Sequence, residues 1–344
     1  MKERNLYFDF LKGLAILGVI TIHMVGNRLD DFGLFIVRNL ACSAVFVFFV
    51  LSGYFINREK FVANRWEYVY ARVSRLWITY LFWTAVVVSM FSPGDILHPL
   101  KFVGEDILLG LGVGIGYYIV ALTQLLLLLP IFVRLIEKYP KLTLVMCAVT
   151  NLLSIAFATY LCAGKKTLFG YNTPVPMPFV FCGCWVWAFA LGVYMKITKN
   201  KYRPNHSWRW LLPIFGFVLG ECWLWQGYAE RVSLAQFRIS VIIFNTALSV
   251  LILSAQKTTF GKSSGIVRFI AVLGSASFLI YLTHMAGGFR VMRLIETQIF
   301  GGTIEKMSFL VYALKLAFLS GFYYAIIIGL RKILPQRVCR IIGV

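Results

Sequence analysis

Charged side chains are scarce in this sequence. They make up 14% of the 344 residues, whereas 60% are hydrophobic, and the mean hydropathy is +0.78. A soluble globular domain carries about 25% charged residues. A soluble core of this chain length is too small to bury so much apolar surface, so the composition excludes an ordinary soluble enzyme. It predicts an all-α integral membrane protein, because a spanning helix needs roughly 20 mostly apolar residues.

Several other features are also missing. No nucleic-acid-binding motif accompanies the net charge of +20, so the basic excess is attributed to cytoplasmic loops and no nucleic-acid partner is expected. The seven cysteines are scattered, and Cys182 and Cys184 have no second ligand pair nearby, which predicts packing residues and no metal site. The sequence shows no internal repeat and no second soluble domain. Residues 1–344 are therefore predicted to form one transmembrane domain.

Ten apolar runs are interpreted as membrane-spanning helices. The first follows Lys2 and Arg4, but Asp9 and Lys12 interrupt it and no small-residue cleavage site follows, so it is interpreted as a helix rather than a signal peptide. The predicted helices 1 to 10 cover about residues 7–26, 34–57, 76–92, 117–135, 142–163, 178–195, 209–226, 237–255, 267–289 and 307–330.

Lysine and arginine are distributed unevenly between the two sides of this arrangement. With the amino terminus in the cytoplasm, 22 of them fall in cytoplasmic segments and 10 on the opposite side. Multi-pass proteins carry such an excess in their cytoplasmic loops, so the bias predicts ten helices with both termini in the cytoplasm. The glycine-rich residues 105–116 lie outside the ten runs. They are interpreted as a re-entrant or interfacial segment whose glycines permit close packing.

Helix 1 carries three ionisable residues at membrane depth, where such groups are costly and commonly functional. Lys12 and His23 are 11 residues apart, which is close to three helical turns, so both are predicted on one face and roughly 16 Å apart along the axis. Asp9 precedes Lys12 by three residues and can pair with it. The sequence therefore predicts a charge pair near the cytoplasm and an imidazole in the outer half of the helix.

Further polar residues fall in the outer halves of later helices, namely Gln124, Glu221, His284 and Lys315. A purely structural hydrogen bond between helices is the alternative to function for His23 and His284. Glu221 and Lys315 are interpreted either as a buried structural pair or as functional groups.

The segment between helices 2 and 3, NREKFVANRWEYVYARVSRLW, interleaves basic and aromatic residues and is interpreted as a cytoplasmic loop. Arg72 and Arg75 are three residues apart and would be neighbours on a helical face. Two planar guanidinium groups suit phosphate oxygens. Contact with anionic lipid head groups explains the same charges equally well at this point.

Four segments together resemble the acyltransferase type 3 family of membrane O-acyltransferases. The family's basic residue, ten intervening residues and histidine correspond to Lys12 and His23, although arginine is commoner at the first position. VFVFFVLSGYFI, with Ser52, resembles its FFVLSG segment, YARVSRLW resembles its Arg-x-x-Arg element, and LGSASFLIYLTH resembles its late LG-S-S-IY-H segment. The four follow the family's order over most of the chain. Tyr118 stands where the family commonly has tryptophan.

The resemblance implies an acyl-CoA donor, usually acetyl-CoA, on the cytoplasmic face. Arg72 and Arg75, with Lys12, would bind the donor, and its pantetheine arm would extend along helix 1. His23 would act as general base on the acceptor hydroxyl or relay the acyl group, while Lys12 and Asp9 would order the donor channel. The residues on the acceptor side, or supporting the catalytic group, are expected to be Ser52, Glu221, Tyr281 and His284.

The acceptor implied by the resemblance is a hydroxyl of a cell-surface or lipid-linked glycan. The implied location is the bacterial cytoplasmic membrane, which the chain would cross repeatedly, and the expected partners are the bilayer, acyl-CoA and the glycan. Two other classes stay open. A proton-coupled secondary transporter is disfavoured because the halves show no repeat symmetry, and a non-catalytic membrane partner would leave the polar stripe of helix 1 unexplained.

Overall fold

A computed structural model describes most of the chain and shows helices joined by turns. Within the described residues it contains no β-strand, so the predicted all-α fold is confirmed. Those residues are 5–26, 32–163, 179–198, 209, 211–225, 237–255, 264–302 and 308–344.

The helices differ widely in length. Among the elements that lie wholly within the described residues, three short segments have another helical form: a π-helix at Phe102–Leu108, a 3₁₀ turn at Cys182–Cys184 and a second π-helix at His284–Gly288. In chain order, the α-helices are α1 (Leu6–Val25), α2 (Phe32–Ala41), α3 (Ser43–Tyr54), α4 (Arg58–Ala63), α5 (Arg65–Phe91), α6 (Pro93–Ile96), α7 (Pro99–Lys101), α8 (Tyr117–Leu127), α9 (Leu129–Lys138), α10 (Pro140–Ala163), α11 (Val186–Ile197), α12 (Leu211–Trp225), α13 (Ile239–Ser254), α14 (Gly265–Ser275), α15 (Ser277–Thr283), α16 (Phe289–Phe300), α17 (Phe309–Ile333) and α18 (Gln336–Ile342).

The chain divides into two compact units. Unit 1 comprises Met1–Val45 and His206–Val344, and unit 2 comprises Phe46–Asn205. Unit 1 therefore holds α1, α2 and α12 to α18, unit 2 holds α4 to α11, and the boundary falls inside α3. The single transmembrane domain expected over residues 1–344 stays a prediction.

Several helices are long and apolar enough to cross a membrane, so the chain is a membrane protein. Five qualify singly within the described part of the chain, and the number rises to 7 when each of two bent pairs counts as one span. Three shorter apolar helices fall where predicted helices 6, 7 and 8 lie. The five single helices are Leu6–Val25, Phe32–Tyr54, Arg65–Phe91, Pro140–Phe157 and Phe309–Ile333.

Two predicted helices, 4 and 9, are broken rather than continuous. The first bends by 53° between α8 and α9, where Pro130 lies in the first turn of α9 and cannot donate a backbone hydrogen bond to the preceding turn. The second bends by 64° between α14 and α15. There the Ser275 hydroxyl donates to the Val272 carbonyl at 2.6 Å, a side-chain bond that competes with continuation of the helix.

The basic and aromatic segment between helices 2 and 3 is helical, so helix 3 begins earlier than predicted, while the cytoplasmic location of the segment stays a prediction. Two asparagines begin the helices: the Asn57 side chain accepts from the Lys60 backbone N–H, and Asn64 accepts from the Glu67 backbone N–H. The Asn64 side-chain amide also donates to the Glu67 carboxylate at 3.0 Å. This capping arrangement makes α5 begin eleven residues before the predicted boundary at 76.

Glycines in residues 105–116 pack closely, as predicted. Gly110 and Gly114 have φ values of +77° and +80°, which favour glycine. A Cβ on Gly112 would lie 2.8 Å from the Thr84 methyl group. The Tyr80 hydroxyl donates to the Asp106 and Ile107 carbonyls at 3.0 and 2.8 Å, which fixes this segment against α5. A re-entrant or interfacial location stays a prediction.

In unit 1, α1 packs along α14 with almost no side chain between the two backbones. A Cβ on Gly13 would overlap the Ile270 carbonyl oxygen, and a Cβ on Gly274 would overlap the Asp9 carbonyl oxygen. Small residues allow such close approach between helices in a membrane, where packing rather than hydrophobic burial drives association. Gly13 and Gly274 therefore set the distance between these two helices.

Replacing Gly274 with alanine should force α1 and α14 apart. We expect Gly274→Ala to lower the free energy of unfolding by about 1–3 kcal/mol, the usual cost of an overpacked site, and to lower the melting temperature in detergent. Gly321 in α17 is the control, because a Cβ there meets nothing within 4 Å. An unchanged melting temperature for Gly274→Ala would show that the contact is not tight.

Candidate functional site

Two histidines from distant parts of the sequence meet in unit 1. The His23 ring on α1 and the His284 ring in the second π-helix have centroids 5.4 Å apart and planes tilted by 47°. His284 is fully buried, whereas His23 is half-buried. The sequence placed both at similar depth in the membrane, and the structure brings them into contact. The His23 side chain is therefore more accessible than that of His284.

The orientation of the His284 ring is fixed by the backbone that precedes it. Its Nδ1 lies 3.0 Å from the carbonyl oxygens of both Ile280 and Tyr281. Carbonyl oxygens only accept hydrogen bonds, so Nδ1 carries the proton and, in the neutral ring, Nε2 holds the lone pair. That Nε2 atom is buried and has no hydrogen-bond partner among the described residues. It is available to accept a proton or a hydrogen bond.

The π-helix that carries His284 is held by Tyr323 of α17. The Tyr323 and Thr283 hydroxyls lie 3.2 Å apart. A Cβ on Gly288, at the end of the π-helix, would lie 2.8 Å from the Tyr323 hydroxyl oxygen, so glycine leaves room for this ring. Isolated π-turns occur frequently at functional sites. Tyr281, on the preceding turn, is buried, and its ring centroid lies 6.4 Å from that of His284.

The predicted charge pair of helix 1 is present. The Lys12 Nζ atom lies 2.6 Å from an Asp9 carboxylate oxygen, and the two side chains are 27% and 11% exposed. Because α1 is unbroken from Leu6 to Val25, Lys12 and His23 are separated by close to three regular turns. The pair satisfies the Asp9 charge and leaves the remaining ammonium hydrogens of Lys12 able to bind a further acceptor.

The pairing considered for Glu221 and Lys315 is wrong. The Lys315 Nζ atom binds Glu296 at 2.7 Å, with both side chains at most 10% exposed. Glu296 lies on α16, beyond the boundary predicted for helix 9. Gln124 also has a structural role, because its side chain bonds the Val180 carbonyl at 2.9 Å and the Cys182 N–H at 3.2 Å.

A second cluster of predicted site residues forms in unit 2 around Arg72. One guanidinium nitrogen, Nη2, donates to the Ser52 carbonyl at 2.9 Å, and the guanidinium lies over the Tyr68 ring, 5.8 Å from its centroid. The other terminal nitrogen, Nη1, is buried without a hydrogen-bond partner in the described ranges. The hydroxyls of Ser52 and Tyr118 lie 3.1 Å apart. Arg72 is thus anchored through Nη2, while its buried Nη1 has no acceptor in the described ranges.

Aromatic rings support this cluster. Phe49 contacts Tyr118 and stacks on Trp185, with ring centroids 4.7 Å apart in each pair, and such stacking fixes ring positions. Tyr118, at the position where tryptophan was expected, thus links Ser52 to a rigid aromatic wall. Arg75, one turn after Arg72, is exposed. The two arginines therefore differ: Arg72 is built into the structure, whereas Arg75 faces outward.

Sequence reasoning missed two arginines of unit 1 because both, among the first residues of predicted helices 2 and 8, were counted only as charges on the side opposite the cytoplasm. Arg38 lies on α2, is 7% exposed and interacts electrostatically with His23 and with Arg238. Arg238 immediately precedes α13 and interacts in turn with Glu221. The spacing from His23 gives no local signal for either arginine, since both come from other helices.

The acyltransferase 3 family model, described as an acyltransferase domain, matches residues 5–330. Neither a curated protein nor a solved structure shows a significant match. No group of three or more histidine, cysteine, aspartate or glutamate residues able to hold a metal ion occurs where the structure describes the chain; the absence of a metal cofactor stays a prediction.

Proposed function

The chain belongs to the acyltransferase 3 family, and from this premise we propose that it is a membrane O-acyltransferase using acyl-CoA, most commonly acetyl-CoA, as donor. The proposed acceptor is a hydroxyl of a cell-surface or lipid-linked glycan, and the proposed location is the bacterial cytoplasmic membrane. The observation that carries the proposal is the contact of His23 with His284. Two imidazoles at membrane depth supply acid–base chemistry where ionisable groups are otherwise costly.

We assign the role of general base to His23. In this step His23 takes the proton of the acceptor hydroxyl while the hydroxyl oxygen bonds to the carbonyl carbon of the thioester. The carbon–sulfur bond breaks, and the imidazolium returns its proton to the leaving thiolate, which yields the ester and CoA. His284 stands behind His23 with its ring orientation fixed by two carbonyls, which supports a positioning role for it. Tyr281 and Glu221 are proposed to act on the acceptor side.

We assign donor binding to Arg72 and Arg75. The guanidinium of Arg72 is anchored through Nη2, so Nη1 can donate a hydrogen bond to an oxygen of a CoA phosphate. A charge-assisted hydrogen bond of this kind is stronger than a neutral one. Ser52 and Tyr118 hold the backbone that anchors Arg72. Lys12, paired with Asp9, is proposed to order the donor. The route of the pantetheine arm along helix 1 stays a prediction.

We propose ten spans with both termini in the cytoplasm. Support comes from the five single helices, the two bent pairs and the three shorter apolar helices, which coincide with the ten predicted runs. The bias of lysine and arginine toward one side gives the orientation.

Substitution of His23 tests the chemistry. We expect His23→Ala to lower transfer from radiolabelled acetyl-CoA to the glycan fraction at least about 100-fold, the usual contribution of a general base, with normal insertion into the membrane. His98→Ala is the matched control, because His98 is exposed and lies outside the candidate spans. Substantial transfer by His23→Ala would exclude the proposed role. Label retained on the protein without acceptor, and lost in this variant, would instead indicate acyl relay.

Donor dependence tests the arginine assignment. We expect Arg72→Gln to raise the KM for acetyl-CoA about tenfold or more, because a charge-assisted hydrogen bond contributes roughly 1.5–3 kcal/mol. Arg75→Gln should raise it less, since Arg75 is exposed and screened by solvent. Arg134→Gln, an exposed arginine of α9, is the control. Equal KM values for all these variants would indicate instead that the arginines contact lipid head groups. Melting temperatures would show whether each variant is folded.

Cysteine labelling in spheroplasts tests the orientation. We introduce Lys60→Cys, Gly94→Cys or Arg340→Cys into a cysteine-free variant, since all three positions are exposed. A membrane-impermeant maleimide should label Gly94→Cys directly, and should label the other two only after permeabilisation. Direct labelling of Arg340→Cys, with Lys60→Cys still protected, would contradict an even number of spans between them.

A further inference from the structure

Three charged residues of unit 1 surround an apolar cluster between α2, α12 and α13. Phe35, Val218 and Val241 form the core of this cluster. Arg38 follows Phe35 by three residues, Glu221 follows Val218 by three, and Arg238 precedes Val241 by three. Residues three apart on a helix share a face, so Arg38 and Glu221 lie next to the cluster, and Arg238 is the extended N-cap residue at the start of α13.

Arg238 presents the edge of its guanidinium without a partner. Both terminal nitrogens, Nη1 and Nη2, are buried and make no hydrogen bond to the described residues. The same holds for Oε2 of Glu221, although Glu221 and Arg238 interact electrostatically. Leaving buried donors of a charged group unsatisfied costs free energy. The two parallel N–H groups on this edge are the ones that bind a carboxylate or a phosphate bidentately.

A second guanidinium strengthens this preference for an anion. Arg38 is 7% exposed and interacts electrostatically with Arg238. Two like charges held near each other in a membrane protein repel, and an anion that contacts both removes the repulsion. Arg38 also interacts electrostatically with His23, which links this group of charges to the proposed general base. The unsatisfied Glu221 oxygen can accept a hydrogen bond from a hydroxyl of the same ligand.

We propose that Arg38, Arg238 and Glu221 form the acceptor subsite, and that this subsite recognises an acidic sugar: an oxyanion, carboxylate or phosphate, carrying neighbouring hydroxyls. This inference rests on the proposed function for its link to acyl transfer, and it narrows the acceptor from any glycan to an anionic one. The guanidinium edge of Arg238 binds the oxyanion, Arg38 supplies further positive charge, and Glu221 accepts from an adjacent hydroxyl. Binding of the anion would hold a hydroxyl of the sugar near His23.

Binding of small probes to the full-length protein in nanodiscs tests the subsite without any transfer reaction. The probes are glucuronate, glucose 1-phosphate and glucose, measured by calorimetry against the protein and the Arg238→Gln variant. We expect at least one anionic probe to bind at least about tenfold more tightly than glucose. Arg238→Gln should lower the affinity for that probe by about tenfold to a hundredfold. Preference for glucuronate indicates a uronic acid acceptor, and preference for glucose 1-phosphate indicates a phosphorylated one.

Controls separate this subsite from the donor site and from general charge. Arg293→Gln, an exposed arginine of α16, should bind the probes like the unmodified protein, and Arg238→Gln should keep its affinity for acetyl-CoA. The Arg238→Lys variant should bind the anionic probe more weakly than the unmodified protein and more tightly than Arg238→Gln. Lysine keeps the charge but loses the bidentate edge. If Arg238→Gln does not fold, the lysine variant and Glu221→Gln carry the test. Equal binding of all three sugars, or a loss of acetyl-CoA affinity matching the loss of the anionic probe, overturns the proposal.

The outcome of the probe-binding experiment can be judged separately from the proposed acyl-transfer chemistry. His23→Ala should bind the probes normally, because His23 contributes no hydrogen bond to the anion. If probe binding behaves as expected while His23→Ala still transfers acetyl groups, the subsite stands and the proposed chemistry fails. If His23→Ala is inactive but Arg238→Gln binds the anionic probes unchanged, the chemistry stands and the subsite fails.

Discussion

Direct contact between the backbones of α1 and α14 is the constraint on which unit 1 depends. Gly13 and Gly274 let the two helices approach until main-chain atoms touch. In lipid there is little hydrophobic gain when helices associate, so such packing is a principal source of their stability. Because α15 and the π-helix continue from α14, this one contact also sets where His284 lies relative to α1. The histidine pair is therefore positioned by glycines about ten residues away from each ring.

Buried charge in this unit is mostly arranged in local pairs. Asp9 and Lys12 pair on one helix, and Glu296 and Lys315 pair across α16 and α17. A buried pair keeps both ions hydrogen-bonded, whereas one ion alone would pay the full desolvation penalty. Arg238 differs, because its terminal nitrogens have no partner in the described part of the chain. The two ion pairs are therefore satisfied within the unit, and this contrast is the basis for proposing a ligand at Arg238.

The sequence predicts most helices because length and apolar composition are local properties. It also identifies His23, His284 and the Asp9–Lys12 pair, since helical periodicity fixes faces and depth along a single span. It does not predict the partner of Lys315 or the proximity of Arg38 to Arg238, because these contacts join helices far apart in the chain. The helical start at Asn64 was missed although its signal was present: an asparagine three residues before a glutamate is a capping pattern.

The π-helix at His284–Gly288 also changes how later residues should be aligned to a helical wheel. A π-turn contains about one residue more than an α-turn, so everything after it is rotated by about 100° from the position that a continuous α-helix would give. A wheel drawn straight through Ser277 to Phe300 would therefore place Glu296, which binds Lys315, about 100° from its actual direction. Relatives can be aligned by residue spacing alone up to His284. Beyond it, such an alignment is valid only for chains that keep the same π-turn.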